Sequence, residues 1–390
     1  MISERLVDLL RGSYRLFDRN RRKTRRTLTE YRRFVEKEVL TWEKAWLSMP
    51  LGRRLWLWRH GFLSQANVLY DIDENNYRQY FSDFQRERAY WINDEQREAL
   101  NNKLFFHWMM EPFAEQRVAT YGVLKRGRFH DLRSLEPAGG GTVTTTDGLE
   151  ETTDAATWIT EHLHEEGALM LKPWRGSGGM GVTRCSYGNG VYHIDGEKYG
   201  QSDFESIIGA LDSYLVSEVV EQADYANELF PDAANTLRVL TMYDDEADEP
   251  FVAAAAHRIG TRQSAPVDNF TNGGLATGID RETGRLTAGF QFPFSGSLNW
   301  HETHPDTGVQ ITDTQIPNWT VIREQLLEMA ATFSHTPYIG WDLVVTGEGT
   351  FTVIEGNNAP NIRFFQVHGP LLNDPRVRRF YEHHGIVPEE

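Results

Sequence analysis

The chain has 390 residues, enough to bury a large core and to form two or three lobes. Hydrophobic residues make up 40% and aromatic residues 12%, which excludes an intrinsically disordered chain. The formal charge of -16 argues against general nucleic-acid affinity, because that affinity rests on Lys and Arg neutralising phosphates.

Only seven lysines occur, at positions 23, 37, 44, 103, 125, 172 and 198, against 33 arginines. An acidic, lysine-poor and arginine-retaining chain resembles cytoplasmic proteins of salt-accumulating (halophilic) organisms, where salt screens the self-repulsion. Cys185 stands alone, so no internal disulfide can form. The arginine-bearing start lacks the apolar stretch of a signal peptide, and no run approaches the roughly 20 apolar residues that span a bilayer. The expected location is cytoplasmic.

Residues 1 to about 60 read as helix, with a basic section "RLFDRNRRKTRRTLTEYRRF". Its arginines suit a solvated helical face; a second reading is peripheral contact with anionic lipid or another anionic partner, helped by Trp42, Trp46, Trp56 and Trp58. From Asn75 to Phe113 the apolar spacing is mostly helical, with "NDEQREALNNKLFFHWMMEPF" as a helix pair. A Gly/Thr-rich connector over 137–154 leads to a helix near 155–165 and a strand "ALMLKP". Then "VTRCSY" and "VYHID" flank a Gly-Asn-Gly turn, "FESIIGAL" reads as helix, and "YLVSEVV" and "TLRVLTMY" read as strands. Strands "PFVAAAAHRIG", "WDLVVTG" and "TFTVIEG" come next, with a helix near 319–333. The class is α+β with much antiparallel pairing. The expected parts are a basic helical extension (1–75), a helical region (76–165), a lobe with the glycine loop and hinge (166–222) and a C-terminal lobe (223–390).

The stretch "LMLKPWRGSGGMGV" carries the spacing of a dinucleotide fingerprint, Gly176-x-Gly178-x-x-Gly181. That fingerprint needs a helix after its third glycine, whereas "VTRCSYGNGVYHID" reads as a hairpin. A Walker A loop fails as well, because Lys172 precedes the glycines rather than succeeding them. Two readings stay open for these residues: a flexible hairpin tip, or a phosphate cover in which backbone N–H groups approach oxygens unobstructed. In "GWDLVVTGEGTFTVIEGNNAPN", alternation puts Asp342 on one strand of a hairpin and Glu355 and Asn357 on one face of the next. Two carboxylates and an amide suit Mg²⁺ (or Mn²⁺) that also binds phosphate oxygens; the plain alternative is a polar hairpin end.

These segments, with "NNKLFFHWMMEPF", "YLVSEVVEQ", "NTLRVLT", "VDNFTNGGLATGID" and "HPDTGVQITDTQIPNW", resemble the ATP-grasp superfamily over roughly residues 60 to 390. The branch is the sugar-transfer-associated one, related to α-L-glutamate ligases. The resemblance implies two α+β lobes clasping ATP, behind a helical N-terminal extension. It implies that Lys103 and Lys172 contact ATP and that Gly176, Ser177, Gly178, Gly179 and Gly181 cover the phosphates. Glu218, Val219 and Val220 would present backbone groups to adenine, and Glu221 would bind ribose. Arg238 would reach the γ phosphate or an acylphosphate, with Lys172 as the second catalytic group, and Asp342, Glu355 and Asn357 would hold the metal. Arg258, Asp268 and Asn269 would line the acceptor side.

The expected activity is an ATP- and Mg²⁺-dependent carboxylate ligase working through an acylphosphate and releasing ADP and phosphate. A small-molecule carboxylate, from a sugar, amino acid or surface-polymer precursor, and a nucleophile would be its partners. A small-molecule kinase and a nucleotide-binding scaffold are the alternatives. "HETH" at 301–304 lacks the spacing of a zinc helix and reads as a loop, while His257, His335 and His368 have no role assigned.

Overall fold

In a computed structural model of the chain, residues 25–38, 49–132, 153–176, 179–293 and 296–389 are described. The expected helix over 1–24, the segment 39–48 with Trp42 and Trp46, most of the 137–154 connector, and Ser177 and Gly178 lie outside them.

In chain order, α1 covers 25–38, and after it come α2 (Leu51–Arg59), α3 (Ala66–Leu69), α4 (Asp83–Ala89), α5 (Arg97–Asn101) and α6 (Lys103–Met109). Then come β1 (Thr120–Lys125), β2 (Arg128–Asp131), β3 (Thr153–Asp154), α7 (Ala155–Glu166), β4 (Ala168–Pro173), β5 (Thr183–Gly188), β6 (Val191–Ile194) and β7 (Glu197–Tyr199). The next elements are α8 (Gln201–Gly209), β8 (Tyr214–Ser217), α9 (Asp224–Leu229), β9 (Leu237–Asp244), β10 (Glu249–Ile259), β11 (Leu275–Ile279), β12 (Leu286–Gln291) and β13 (Asn299–His301). The last are α10 (Trp319–Thr332), β14 (Tyr338–Gly347), β15 (Thr350–Asn357) and α11 (Pro375–His383).

Contacts divide the chain into two compact units: Met1–Ile92 with Pro293–Leu298 and Asn361–Glu390, and Asn93–Phe292 with Asn299–Pro360. The regular elements among the described residues of the first unit are helical. Its α4 begins with a reciprocal cap, in which the Ser82 hydroxyl accepts from Gln85 N–H while the Gln85 side chain accepts from Ser82 N–H. Two C-terminal side chains sew the unit together. Arg363 donates to Asp83 Oδ1 and Gln65 Oε1 (2.8 and 2.9 Å), and Gln366 both accepts from Phe81 N–H and donates to Phe81 C=O (2.7 and 3.0 Å). Among the described residues, no helix is long and apolar enough to cross a membrane.

The second unit holds two antiparallel sheets. Eight strands run in the order β3-β2-β1-β8-β4-β5-β6-β7, and seven in the order β13-β12-β11-β10-β9-β14-β15. Alternation along β4 buries Leu169 and Leu171 in a core shared with Ile159 and Leu163 of α7 and Phe204 and Ile208 of α8. In the seven-stranded sheet, Leu237, Val239, Trp341, Leu343 and Val345 share one core with Ile322, Leu326 and Met329 of α10. The period of two sends the intervening Arg238 and Asp342 to the opposite face, where the candidate site lies.

The β11–β12 connection shows how tightly α10 is seated. Trp319, at the start of α10, is buried and its indole N–H donates to Arg281 C=O (2.8 Å). Gly284 sits against it at φ +75°, and any Cβ there would collide with Trp319 Cβ and Cγ. Gly284→Ala combines a left-handed backbone with a steric clash, so it should destabilise the protein by about 2–4 kcal/mol, read as a lower urea midpoint.

Candidate active site

Three strands place the charged groups. Asp342 on β14 faces Arg238 on β9 in register and Glu355 on β15, while Gly340 faces Asn357. The Arg238 guanidinium grips Asp342 with both Nε and Nη2, the latter at 2.6 Å from Oδ2. Arg258 reaches across from β10 and donates through Nη2 to the same Oδ2 (3.0 Å) and through Nε to Thr236 Oγ1 (2.9 Å). Asp268 accepts from Thr236 N–H (3.0 Å) and from its hydroxyl, and lies 3.5 Å from Arg258 Nε.

The pKa shifts stem from this pairing. Burial works against the Asp342 charge, but Arg238 and Arg258 outweigh it and hold the carboxyl below its ordinary value. Burial likewise opposes the Arg258 charge, which Asp268 and Asp342 more than restore. Asp268 goes the other way: burial raises its pKa despite Arg258.

A second group converges from the eight-stranded sheet and from α6. Asn102 caps α6 by accepting from Leu104 N–H (3.0 Å), which leaves Lys103 as its first residue. Lys103 N–H donates to Trp174 C=O (2.8 Å), and its ammonium bridges Glu355 Oε2 (2.9 Å) and Gly176 C=O (3.2 Å). One lysine thus ties the helix, the glycine loop and β15 together. Gly179 and Gly181 both have left-handed φ angles, +76° and +73°, which supports a sharp turn after β4. Beyond Gly181 the chain enters the β5–β6 hairpin, with Asn189 and Gly190 at φ +53° and +77° as in a primed two-residue turn. A strand therefore stands where a dinucleotide fingerprint requires a helix.

Lys172 lies on β4 opposite Leu215 of β8. Burial pulls its pKa down to about 8, Glu355 resists this, and Lys103 adds to it. Both lysines line a cavity with Phe106, His107, Leu215 and Ile354. His107 was not singled out in the sequence, although four residues after Lys103 on a helix is the same face. Burial and Arg117 lower its pKa to about 4, which favours the neutral imidazole, and its buried Nδ1 has no hydrogen-bond partner among the described residues.

The remaining expected residues are placed less uniformly. β8 ends at Ser217, so Glu218, Val219, Val220 and the exposed Glu221 form an irregular hinge rather than the end of a strand. The Glu218 carboxylate accepts from Ala119 N–H (2.9 Å). Gln222, unnoticed in the sequence, fixes the end of that hinge: its Nε2 donates to Asn227 Oδ1 and to the carbonyls of Phe230 and Ala233 (3.0–3.1 Å), and its Oε1 accepts from Asn235 N–H. Asp268 joins the arginine cluster, whereas the Asn269 side-chain oxygen accepts from Thr271 N–H and hydroxyl within a local turn. Asn357 donates to Gly340 C=O (3.3 Å). His304 is structural, with Nε2 donating to Gly260 C=O and Nδ1 accepting from Asp306 and Thr307 N–H; of "HETH", His301 ends β13 and the other three residues follow it.

Among the described residues, no three His, Cys, Asp or Glu side chains form a metal cage. Asp342, Glu355 and Asn357 instead bring hard oxygens to neighbouring register positions, with both Asp342 oxygens engaged by Arg238 and Arg258 and Glu355 Oε2 by Lys103. That incomplete set fits Mg²⁺, which takes the rest of its octahedron from phosphate and water.

The two charged clusters are separately testable. Binding of a polyphosphate anion, titrated calorimetrically without metal, should weaken as pH rises through about 8 and Lys172 deprotonates; Lys172→Arg should flatten that dependence. Asp342→Ala removes the carboxylate from the buried Arg238 and one of two carboxylates from the half-buried Arg258, so it should cost about 3 kcal/mol in denaturant unfolding.

A family profile described as sugar-transfer associated ATP-grasp matches residues 95–378. No curated protein sequence matches the chain. Similar solved structures include the ATP-grasp ligase PsnB complexed with a minimal precursor, at 13% identity over 74% of this chain and 63% of that one, with a TM-score of 0.35. The D-alanine-D-alanine ligase of Coxiella burnetii is 10% identical over 74% of this chain and 59% of its own, with a TM-score of 0.35. D-alanyl-alanine synthetase A of Vibrio cholerae is 10% identical over 73% and 66%, with a TM-score of 0.39. The chain therefore spans less than two thirds of the length of each of these structures. The profile match covers most of the chain and includes the strands that carry Lys172, Arg238, Asp342 and Glu355, and on that basis the chain belongs to the sugar-transfer-associated ATP-grasp family.

Proposed function

We propose that the chain is an ATP- and Mg²⁺-dependent ligase that activates a carboxylate as an acylphosphate and joins it to a nucleophile. The observation that carries this reading is the convergence on Glu355. Its carboxylate faces Asp342 across the hairpin and holds Lys103, which also touches the glycine loop.

In this reading Lys103 and Lys172 bind phosphate oxygens beneath Gly176, Ser177, Gly178, Gly179 and Gly181. Phe106, Leu215 and Ile354 enclose the base, with Glu218, Val219 and Val220 offering backbone groups to it and Glu221 reaching the ribose. Mg²⁺, held by Asp342, Glu355 and Asn357, would neutralise charge building up between the β and γ phosphates. Arg238 and Arg258, fixed by Asp342, orient guanidinium N–H groups toward the transferring phosphoryl group and the acceptor carboxylate. An oxygen of that carboxylate attacks the γ phosphorus, the bond to the β–γ bridging oxygen breaks, and ADP departs. The nucleophile then adds to the acyl carbon, loses its proton to solvent and expels phosphate. The acceptor would be a carboxylate on a sugar, an amino acid or a surface-polymer precursor, with Asp268 and Asn269 at its side of the site.

Incubation with ATP, Mg²⁺, hydroxylamine and pooled carboxylic acids should yield hydroxamates together with ADP. Glu355→Gln should lower that turnover by about a hundredfold or more while the circular dichroism spectrum is retained. Phosphorylated alcohols without hydroxamate, or full turnover in Glu355→Gln, would overturn the reading.

A further inference from the structure

Among the described residues, exposed large apolar side chains gather on two helices of the first unit. Leu28, Tyr31 and Val35 on α1 are 65%, 62% and 39% exposed, and Leu51 and Leu55 on α2 are 62% and 52% exposed. The spacing is helical in both cases, so each set forms one stripe. On α1 the other stripe, Glu30, Phe34 and Glu38, is buried, so the helix is already seated and its outward face is what remains. Glu38 holds it there, accepting from Ser64 N–H (2.9 Å) and lying 3.8 Å from Arg54 of α2.

Charge is distributed with the same bias. Residues 1–60 contain 16 Lys and Arg against 7 Asp and Glu, whereas the whole chain has 40 against 56. Arg25 and Arg32 flank the α1 stripe and Arg59 ends α2, all three exposed.

This combination selects among anionic partners. A nucleic acid would pair with the arginines but offers no hydrocarbon for Leu and Val. A second copy of the chain in a twofold contact would bring the same positive segment against itself. An anionic bilayer supplies both phosphates for guanidinium groups and acyl chains for the stripe. We propose that α1 and α2 form a docking surface for an anionic membrane, on which they lie in the headgroup plane without spanning it. The surface stands apart from the ligase reading and is tested without turnover.

The full chain should co-sediment with vesicles of phosphatidylcholine containing one third phosphatidylglycerol, and not with phosphatidylcholine alone. The bound fraction should fall as salt is raised. Combined Leu28→Ser, Tyr31→Ser, Val35→Ser, Leu51→Ser and Leu55→Ser should lower partitioning by more than about tenfold with the circular dichroism spectrum unchanged. If that variant misfolds, Leu28→Cys carrying an environment-sensitive dye reads the same contact, because Cys185 is buried; its emission should shift to the blue on anionic vesicles. Undiminished binding of the five-site variant, an unshifted dye, or concentration-dependent dimerisation without vesicle binding would each overturn the proposal.

Discussion

Asp342 is a buried negative charge with a guanidinium on each side, and β9, β10 and β14 of the seven-stranded sheet are organised around it. A carboxylate in that position is stabilised by Arg238 and Arg258, and in turn Asp342 compensates both arginines while Asp268 compensates Arg258. The strands β9, β10 and β14 are therefore locked in register by charge as well as by backbone hydrogen bonds. A slip of one residue would drive Arg238 and Asp342 into the apolar core on the other face. The same constraint aims Glu355 and Asn357, because β15 takes its register from β14.

Much of this arrangement was legible in the sequence. Apolar alternation marked β9, β10, β14 and β15, and the thirteen-residue separation of Asp342 from Glu355 was enough to fold them into a hairpin with facing carboxylates. The hairpin after Gly181 was likewise readable from Asn189-Gly190 and the β-branched and aromatic residues around it. Long-range pairing was not legible. Arg238 and Asp342 are 104 residues apart, and only the strand order that puts β9 beside β14 brings them together. Arg238 was expected to reach phosphate, without a sign that its guanidinium is already held by a carboxylate.

The hinge shows a local signal overridden by a tertiary one. Val219 and Val220 are β-branched and extend a strand pattern, yet the chain leaves the sheet at Ser217. The Gln222 side chain substitutes for the lost ladder, tying the departing chain to the residues before β9. Propensity alone contains no information about that amide. Asn269, which the family resemblance places on the acceptor side, also accepts from Thr271 to close a short turn, as Asn commonly does.

The first unit is assembled from opposite ends of the chain, and this bears on how it is made. Phe81 is paired with Gln366 across 285 residues, and Asp83 with Arg363 across 280. At a synthesis rate of roughly 5–20 residues per second, the helices around Phe81 leave the ribosome roughly 15–60 s before the segment that completes their core. The sheets of the second unit are made in that interval. Until then the N-terminal helices lack their C-terminal partners, and the ring of Phe81 stays uncovered until Tyr381 stacks on it.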